Sequence, residues 1–195
     1  MTDTSTFLGA LESGDAADFD GDGDIDAVTA GREPRICLND GAGSMVCRDL
    51  VSPPAAFSID HIVAADFDGD GDADVITGGT PHKGNTRVCL NDGTAVFTCT
   101  TWNPGHSGRA VMEAMDKGDV DGDGDIDVVV ATRPPHNPQG RGMVCFNDGT
   151  GVFATPCSLI DLASAIGCTE LVFPEYEVVL KDGKSGSKSG SKSKS

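Results

Sequence analysis

Three segments of the chain have nearly the same sequence, and they recur about every 50 residues, the length of one supersecondary repeat. Each carries five aspartates at alternate positions and is followed by a second shared block that ends in Asn-Asp-Gly. The pairs of blocks are AADFDGDGDIDAVTA (16–30) with ICLNDG (36–41), AADFDGDGDADVITG (64–78) with VCLNDG (88–93), and KGDVDGDGDIDVVVA (117–131) with VCFNDG (144–149). A unit of this kind buries its apolar face only by stacking on its neighbours. The chain is therefore restricted to a repeat architecture.

Each repeat predicts four short β-strands and no helix. A first strand leads into the aspartate segment, and a short apolar strand, buried on both faces, follows it. The third strand ends in Asn-Asp-Gly, a strong hairpin signal because Asn and Gly tolerate positive φ. We therefore predict an all-β fold of propeller-type blades, each a four-stranded antiparallel sheet. The predicted fourth strands are Met45–Arg48, Val96–Thr100 and Val152–Thr155.

The repeats divide the chain into five segments. They are repeat 1 (1–51), repeat 2 (52–103), repeat 3 (104–158), a C-terminal extension with one more strand interrupted by Pro174 (159–180), and a tail rich in Lys, Ser and Gly (181–195). Closed propellers need about four to eight blades, and three repeats are recognisable. Either the termini form a degenerate fourth blade, or neighbouring chains complete the assembly, or the chain is a fragment or an open stack. The tail is predicted to be a flexible linker, with a basic docking arm as the alternative.

The aspartate segments have the composition of a cation site. In the first one the carboxylates occupy positions 1, 3, 5, 7 and 9, with Gly23 at position 6. Calcium takes about six to eight oxygen ligands, which closely spaced carboxylates on a glycine-bent loop supply. An EF-hand is rejected, because position 12 is Thr29, Thr77 or Val130 instead of Glu. We expect position 9 to close each site and position 7 to contribute its backbone carbonyl. The predicted metal residues are Asp18, Asp20, Asp22, Asp24, Asp26, Asp66, Asp68, Asp70, Asp72, Asp74, Asp119, Asp121, Asp123, Asp125 and Asp127.

This pattern, D-x-D-G-D-G-D-x-D between two strands and then a strand that ends in N-D-G, resembles the FG-GAP/VCBS repeat of integrin-α-type β-propellers. The resemblance covers roughly residues 14 to 157. It implies that Asp18, Asp20, Asp22 and Asp26, with their counterparts in the other repeats, bind one calcium ion per repeat, about three in all, in a mainly structural role. It also implies adhesion, carbohydrate binding or assembly outside the cell.

Six of the seven cysteines lie beside the predicted hairpins. In the first two repeats nine residues separate the two cysteines, so a symmetric hairpin places them opposite each other at about 4.5–5.5 Å. In the third repeat the gap is longer, and the cysteines face each other only if the strand contains a bulge near Pro156. Buried free thiols are the alternative, and Cys168 competes for Cys157, stays free or links two chains. The predicted disulfides are Cys37–Cys47, Cys89–Cys99 and Cys145–Cys157.

The charge balance limits the partners. With 14 basic and 31 acidic residues the formal net charge is −17, which opposes binding to nucleic acid and to anionic membranes. No apolar run approaches the roughly 18 to 20 residues of a spanning helix, so we expect no membrane insertion. Cysteine usage indicates an extracellular or cell-surface location. Met1–Ala10 has no basic start and no apolar segment, so a leader has been removed or export follows another route.

The sequence favours a binding protein over an enzyme. Every loop aspartate has a place in the repeated metal pattern, and hydrolase motifs such as G-x-S-x-G and H-E-x-x-H are missing. We expect an extracellular calcium-binding repeat protein that acts as a structural or adhesive module. The alternatives are a subunit of a self-assembling extracellular fibre or ring, a lectin-like propeller, and a carboxylate-based hydrolase. A protein or glycan ligand is expected at the variable loops that carry His82, Arg87, Arg133 and His136.

Overall fold

The computed structural model describes residues 11–50, 59–79, 86–105, 111–133 and 140–160, together with the backbone of 172–173 and 176–177. The chain divides into two units, 1–160 and 161–195. Within the described residues, the first unit contains three four-stranded sheets and the second a two-stranded hairpin. Every described element is a strand, which confirms the all-β prediction. A helix long and apolar enough to span a membrane is not found among the described residues.

Each of the three sheets is an antiparallel meander whose strands pair in chain order, and we call the sheets blades 1, 2 and 3. Blade 1 contains β1 (Leu11–Ala17), β2 (Asp26–Gly31), β3 (Arg35–Asn39) and β4 (Met45–Asp49). Blade 2 contains β5 (His61–Ala65), β6 (Asp74–Gly78), β7 (Arg87–Asn91) and β8 (Phe97–Thr101). Blade 3 contains β9 (Val111–Gly118), β10 (Asp127–Arg133), β11 (Arg141–Cys145) and β12 (Ser158–Leu159). The predicted four-stranded antiparallel blade is therefore confirmed in all three repeats.

Blade 3 differs from the prediction at its fourth strand. Residues 152–155 do not form the predicted strand: Phe153 makes a single bridge to Asn147, and the ladder resumes where Ser158 pairs with Val144. The hairpin of blade 3 has two more residues between its Phe and its Cys than the hairpin of blade 2. The chain bends at residues 155 and 156 between the bridge and the resumed ladder, and the fourth strand is moved towards the C-terminus.

The apolar core lies mainly between neighbouring blades. One buried cluster joins blades 1 and 2 and includes Phe19 and Val75, and a second joins blades 2 and 3 and includes Phe67 and Val128. Within blade 2 the burial falls from the second strand to the fourth: every residue of β6 is buried, whereas no residue of β8 is fully buried. Stacking of the blades thus covers apolar surface that a single sheet would leave in water.

The first strands of the blades are in contact, β1 with β5 and β5 with β9. Lys117 of β9 forms an ion pair with Asp15 of β1 and donates a hydrogen bond to the carbonyl of Ala64 in β5. Burial opposes ionisation of Asp15, but the hydrogen bonds from Lys117 and from the backbone of Ala64 and Ala16 hold its pKa below the usual value. Lys117 therefore links the first strands of all three blades.

The second unit contains β13 (Val172–Phe173) and β14 (Tyr176–Glu177), which pair antiparallel. The sequence predicts one strand interrupted at Pro174, and the structure has a short strand on either side of that position. Cys168 and the tail 181–195 lie outside the described residues.

Candidate metal centre

The first aspartate of each loop fixes the course of the loop backbone. The two carboxylate oxygens of Asp18 accept hydrogen bonds from the N–H groups of Gly21 (2.8 Å) and Gly23 (2.9 Å). Asp66 and Asp119 accept the same two bonds from the corresponding glycines. Gly23 has a φ of 93°, a left-handed conformation that residues with a side chain rarely adopt. The D-x-D-G-D-G sequence therefore curls each loop around its first carboxylate.

Three carboxylates converge in every loop. One oxygen from each of three aspartates lies within 4.8 Å of the corresponding oxygens of the other two. The triplets are Asp18–Asp20–Asp22, Asp66–Asp68–Asp70 and Asp119–Asp121–Asp127. Carboxylates this close together disfavour one another's ionised form unless protons or a cation neutralise them.

The pKa of the aspartate at position 3 reflects this repulsion. Burial, followed by the charge of neighbouring carboxylates, raises the pKa of Asp20, Asp68 and Asp121 above the usual value. The Oδ1 atom of Asp20 is buried and accepts no hydrogen bond from the described residues. An orphaned carboxylate oxygen beside two others suits a hard divalent cation, so the residues present fit calcium.

The aspartate at position 9 joins its loop to the hairpin of the same blade. Asp74 is buried, and its two oxygens accept the N–H groups of Phe67 (2.9 Å) and Asn91 (2.8 Å). Asp26 and Asp127 are equally buried and accept the equivalent pairs of bonds. Burial raises the pKa of Asp74 to about 6. Because Asp127 also belongs to a triplet, one carboxylate can hold these backbone groups and still face a cation.

The aspartate at position 7 lies against the hairpin glycine. A Cβ atom added to Gly93 would collide with the carboxylate of Asp72, and the same collision occurs in the other two blades. None of the three triplets includes a position-7 side chain. The position-7 carboxylate therefore adds negative charge near the triplet without being a member of it. That the backbone carbonyl of position 7 binds the ion stays a prediction. The collision also explains why the third residue of Asn-Asp-Gly is glycine: a side chain would meet this carboxylate, and the turn in addition requires a positive φ.

The aspartate of Asn-Asp-Gly, which sequence reasoning did not assign, closes the turn. Hydrogen bonds from the turn lower the pKa of this aspartate. The largest effect comes from the hydroxyls of Thr94 and Thr150 in blades 2 and 3, and from the N–H group of Ser44 in blade 1. The residues affected are Asp40, Asp92 and Asp148. These carboxylates serve the hairpin and are not members of the triplets.

The asparagine of Asn-Asp-Gly reaches the preceding blade, a contact that the sequence analysis also missed. Asn91 Nδ2 donates to the carbonyl of Phe19 at 2.8 Å, and Asn147 Nδ2 donates to the carbonyl of Phe67 at 2.7 Å. Phe19 and Phe67 directly follow the first aspartate of their loops. The candidate metal loops of blades 1 and 2 are therefore part of the junction with the next blade.

The three predicted disulfides are present. In blades 1 and 2 the bonded cysteines are paired residues of the third and fourth strands. The Cα atoms are 3.9 Å apart in Cys37–Cys47 and Cys89–Cys99, and 4.4 Å apart in Cys145–Cys157. Three disulfides in a chain of this size indicate an oxidising compartment.

Two of the four predicted ligand-loop residues are described. Arg87 begins β7 and lines a cleft with Arg48 and Asp49 of blade 1. Arg133 ends β10 and forms an ion pair with Glu113 at 2.7 Å. The others, His82 and His136, lie outside the described residues.

Residues 18–77 match the family model of the FG-GAP-like repeat. The match begins at the first aspartate of blade 1 and ends in β6 of blade 2, so it includes two of the three candidate metal loops. The third loop has the same aspartate pattern and the same hydrogen bonds at its first aspartate. A comparison with curated proteins finds no match to this chain.

Proposed function

Because this chain carries FG-GAP-type repeats, we propose that it is an extracellular calcium-binding protein that serves as a structural or adhesive module. The observation that carries the proposal is a cluster of three loop carboxylates in every blade, always including the aspartates at positions 1 and 3. Catalysis rarely needs three equivalent copies of a site, whereas a stack of similar blades has a use for the same stabilising ion in each. We therefore propose a binding protein and not an enzyme.

Calcium is favoured over magnesium by the composition of the clusters. Calcium accepts about six to eight oxygen ligands in a flexible geometry, among them several carboxylates and backbone carbonyls. Magnesium demands a nearly ideal octahedron, keeps several waters and is usually bound through one or two carboxylates. Three carboxylates that converge within one loop therefore suit calcium. The ligands in our proposal are the carboxylates at positions 1, 3, 5 and 9 and the backbone carbonyl at position 7.

Charge neutralisation gives the ion a structural role. Three divalent ions would reduce the formal net charge from −17 to −11. An ion that binds only the folded chain stabilises it by mass action. Since the loop of one blade also contacts the hairpin of the next, we expect an occupied loop to hold the blades together as well.

An adhesive module needs a partner, and we propose that a protein or glycan binds at the variable loops between the second and third strands of the blades. Arg87 supports this location, because it lines a cleft between two blades. A glycan array probed with the full chain tests the idea. Binding that persists when His82, Arg87, Arg133 and His136 are all changed to alanine would place the partner elsewhere.

Calorimetric titration of calcium into ion-free protein tests the calcium proposal. We expect saturable binding of about three ions per chain, matching the three clusters. Magnesium should bind at least about tenfold more weakly, because its coordination geometry is less adaptable. An absence of saturable calcium binding by folded protein would overturn the proposal.

A further inference from the structure

The contact between blades 1 and 2 has three parts. The carbonyl of Phe19 accepts hydrogen bonds from Asn91 Nδ2 at 2.8 Å and from the N–H of Ala95 at 2.9 Å. The ring of Phe19 packs edge-on against Phe97, with 6.0 Å between the ring centroids. The loop and the hairpin also approach closely, since a Cβ atom added to Gly21 would lie 3.5 Å from a carbonyl oxygen of the hairpin. We call this set of contacts the blade interface.

The same interface joins blades 2 and 3. The carbonyl of Phe67 accepts hydrogen bonds from Asn147 Nδ2 at 2.7 Å and from the N–H of Gly151 at 2.9 Å. The ring of Phe67 packs edge-on against Phe153 at 5.8 Å between centroids. The interface is thus a repeated device, formed by the metal loop of one blade and the hairpin of the next.

Blade 3 presents the loop half of this interface without a hairpin against it in the described part of the chain. Val120 occupies the position of Phe19 and Phe67, and it is 48% exposed, whereas they are 0% and 1% exposed. A Cβ atom added to Gly122, the counterpart of Gly21, would have no heavy atom within 4 Å. The backbone of this loop is nevertheless formed by the same hydrogen bonds to its first aspartate as in the other blades.

Blade 1 presents the hairpin half, and no described loop covers it. Met45, at the position of Phe97 and Phe153, is 48% exposed. The Nδ2 atom of Asn39 donates to Ile25 of its own blade at 3.2 Å and to no described residue of another blade. A Cβ atom added to Gly43 would meet nothing within 4 Å. In the Asn-Asp-Gly alignment, Asn39, Gly43 and Met45 correspond to Asn91, Ala95 and Phe97.

We propose that blade 1 of one copy of the chain docks on blade 3 of a second copy and so repeats the blade interface between molecules. Asn39 Nδ2 and the Gly43 N–H would donate to the carbonyl of Val120, and Met45 would cover the Val120 side chain. The partner is a second copy because the chain carries both halves of an interface that it already uses twice internally.

The two halves are different surfaces, so the contact is head to tail. Such heterologous contacts generate a closed ring when the rotation per subunit closes, and a filament when it does not. Met45 and Val120 replace a pair of phenylalanines, which removes the aromatic edge-to-face contact and part of the apolar area. We therefore expect association to be weaker than the internal interfaces and to depend on concentration.

Light scattering of the full chain over a hundredfold range of concentration tests this, in buffer with calcium. The wild-type chain should exceed the 20.0 kDa of a monomer, whereas Met45→Asp and Val120→Asp should remain monomers. Val46→Asp is the matched control, because Val46 is 70% exposed and its counterpart Thr98 stays exposed in the internal interface. This control should assemble like the wild type.

Mixing the two variants tests the head-to-tail geometry. Met45→Asp keeps an intact blade 3 face and Val120→Asp keeps an intact blade 1 face, so an equimolar mixture should form a dimer that grows no further. A monomeric wild type at all concentrations, a mixture that stays monomeric, or a Val46→Asp variant that also fails to assemble would overturn the proposal. Calorimetric titration of each variant with calcium keeps the outcome separate from the calcium proposal. Met45 lies on β4 outside the loops, so loss of assembly in Met45→Asp is not an effect on a calcium site. Val120 lies between Asp119 and Asp121 of the third triplet, so Val120→Asp counts only if it still binds as many ions as the wild type.

Discussion

At the residue scale, the five aspartates of a loop have different tasks that their alternation in the sequence conceals. Position 1 holds two glycine N–H groups, and position 3 carries the orphaned oxygen in the first loop. Position 9 is buried and holds the backbone of its own hairpin. The alternation and the glycines predict a cation site, because few other arrangements tolerate five carboxylates within nine residues. They do not predict which oxygens are buried, because burial depends on the hairpin that the loop meets.

Removing the charge at position 3 of one loop should remove one calcium site. For Asp20→Ala we expect the stoichiometry in calorimetric titration to fall from about three ions to about two, because the triplet loses both oxygens of one ligand. Asp49→Ala, a change on the exposed strand β4 outside the loops, is the control and should leave the stoichiometry unchanged. Full retention of three sites in Asp20→Ala would show that position 3 is not a ligand.

The raised pKa of Asp74 predicts a dependence on pH. Its folded-state pKa is about 6, above its ordinary value of 3.8, so the folded ion-free chain favours the protonated carboxyl. This contribution to stability is present below about pH 4 and is lost as the pH rises through 6. Ion-free protein should therefore melt at a higher temperature at pH 5 than at pH 7.

Calcium binding should show the opposite trend, because protons compete for the same carboxylates. We expect the calcium affinity to fall between pH 7 and pH 5 in calorimetric titrations. Asp49→Asn should follow the wild type, and Asp74→Asn should weaken the trend at the second site. An affinity that is constant over this range would contradict the assignment of these carboxylates to the site.

At the scale of elements, the strands follow from local patterns and their partners do not. Asn-Asp-Gly predicts the hairpins because its glycine adopts positive φ, as Gly93 does at 78°. The same Asn-Asp-Gly block also joins neighbouring blades. Its asparagine forms hydrogen bonds with residues that are 72 positions away in one case and 80 in the other, and no local pattern carries that information. The displaced fourth strand of blade 3 has a similar cause: two inserted residues are visible in the sequence, but where the ladder resumes depends on pairing with β11.

The disulfide of blade 2 should stabilise the protein more than that of blade 1. Cys37 and Cys89 are both buried, but only the blade 2 pair belongs to the core between blades 1 and 2, where Cys89 is fully buried and Cys99 packs against it. Cys47 lies on the exposed strand β4. Loss of a short-loop disulfide costs about 3 kcal/mol, and replacing a buried cysteine adds a packing loss. We expect Cys89→Ala with Cys99→Ala to lower the melting temperature further than Cys37→Ala with Cys47→Ala. Equal losses, measured without reductant, would show that core packing around Cys89 contributes nothing.

At the scale of the whole molecule, the repeat predicts that blades stack, and the structure shows how. Junctions between blades use the loop that we assign to calcium, the hairpin closed by a disulfide and the apolar core. Lys117 links the first strands of the three blades, and its partners on the other two blades could not be identified from the sequence. The sequence therefore predicts the composition of a blade well and the contacts between blades poorly, because those contacts join distant positions.

If calcium in these loops holds the folded blades together, the thermal stability of the full chain should depend on calcium. The melting temperature should rise steadily with calcium concentration above its value in excess chelator, and magnesium should reproduce little of the increase. In Asp20→Ala/Asp68→Ala/Asp121→Ala the calcium-dependent rise should disappear, while Asp49→Ala retains it. Identical unfolding curves for the wild-type chain in excess chelator and in millimolar calcium would contradict the account.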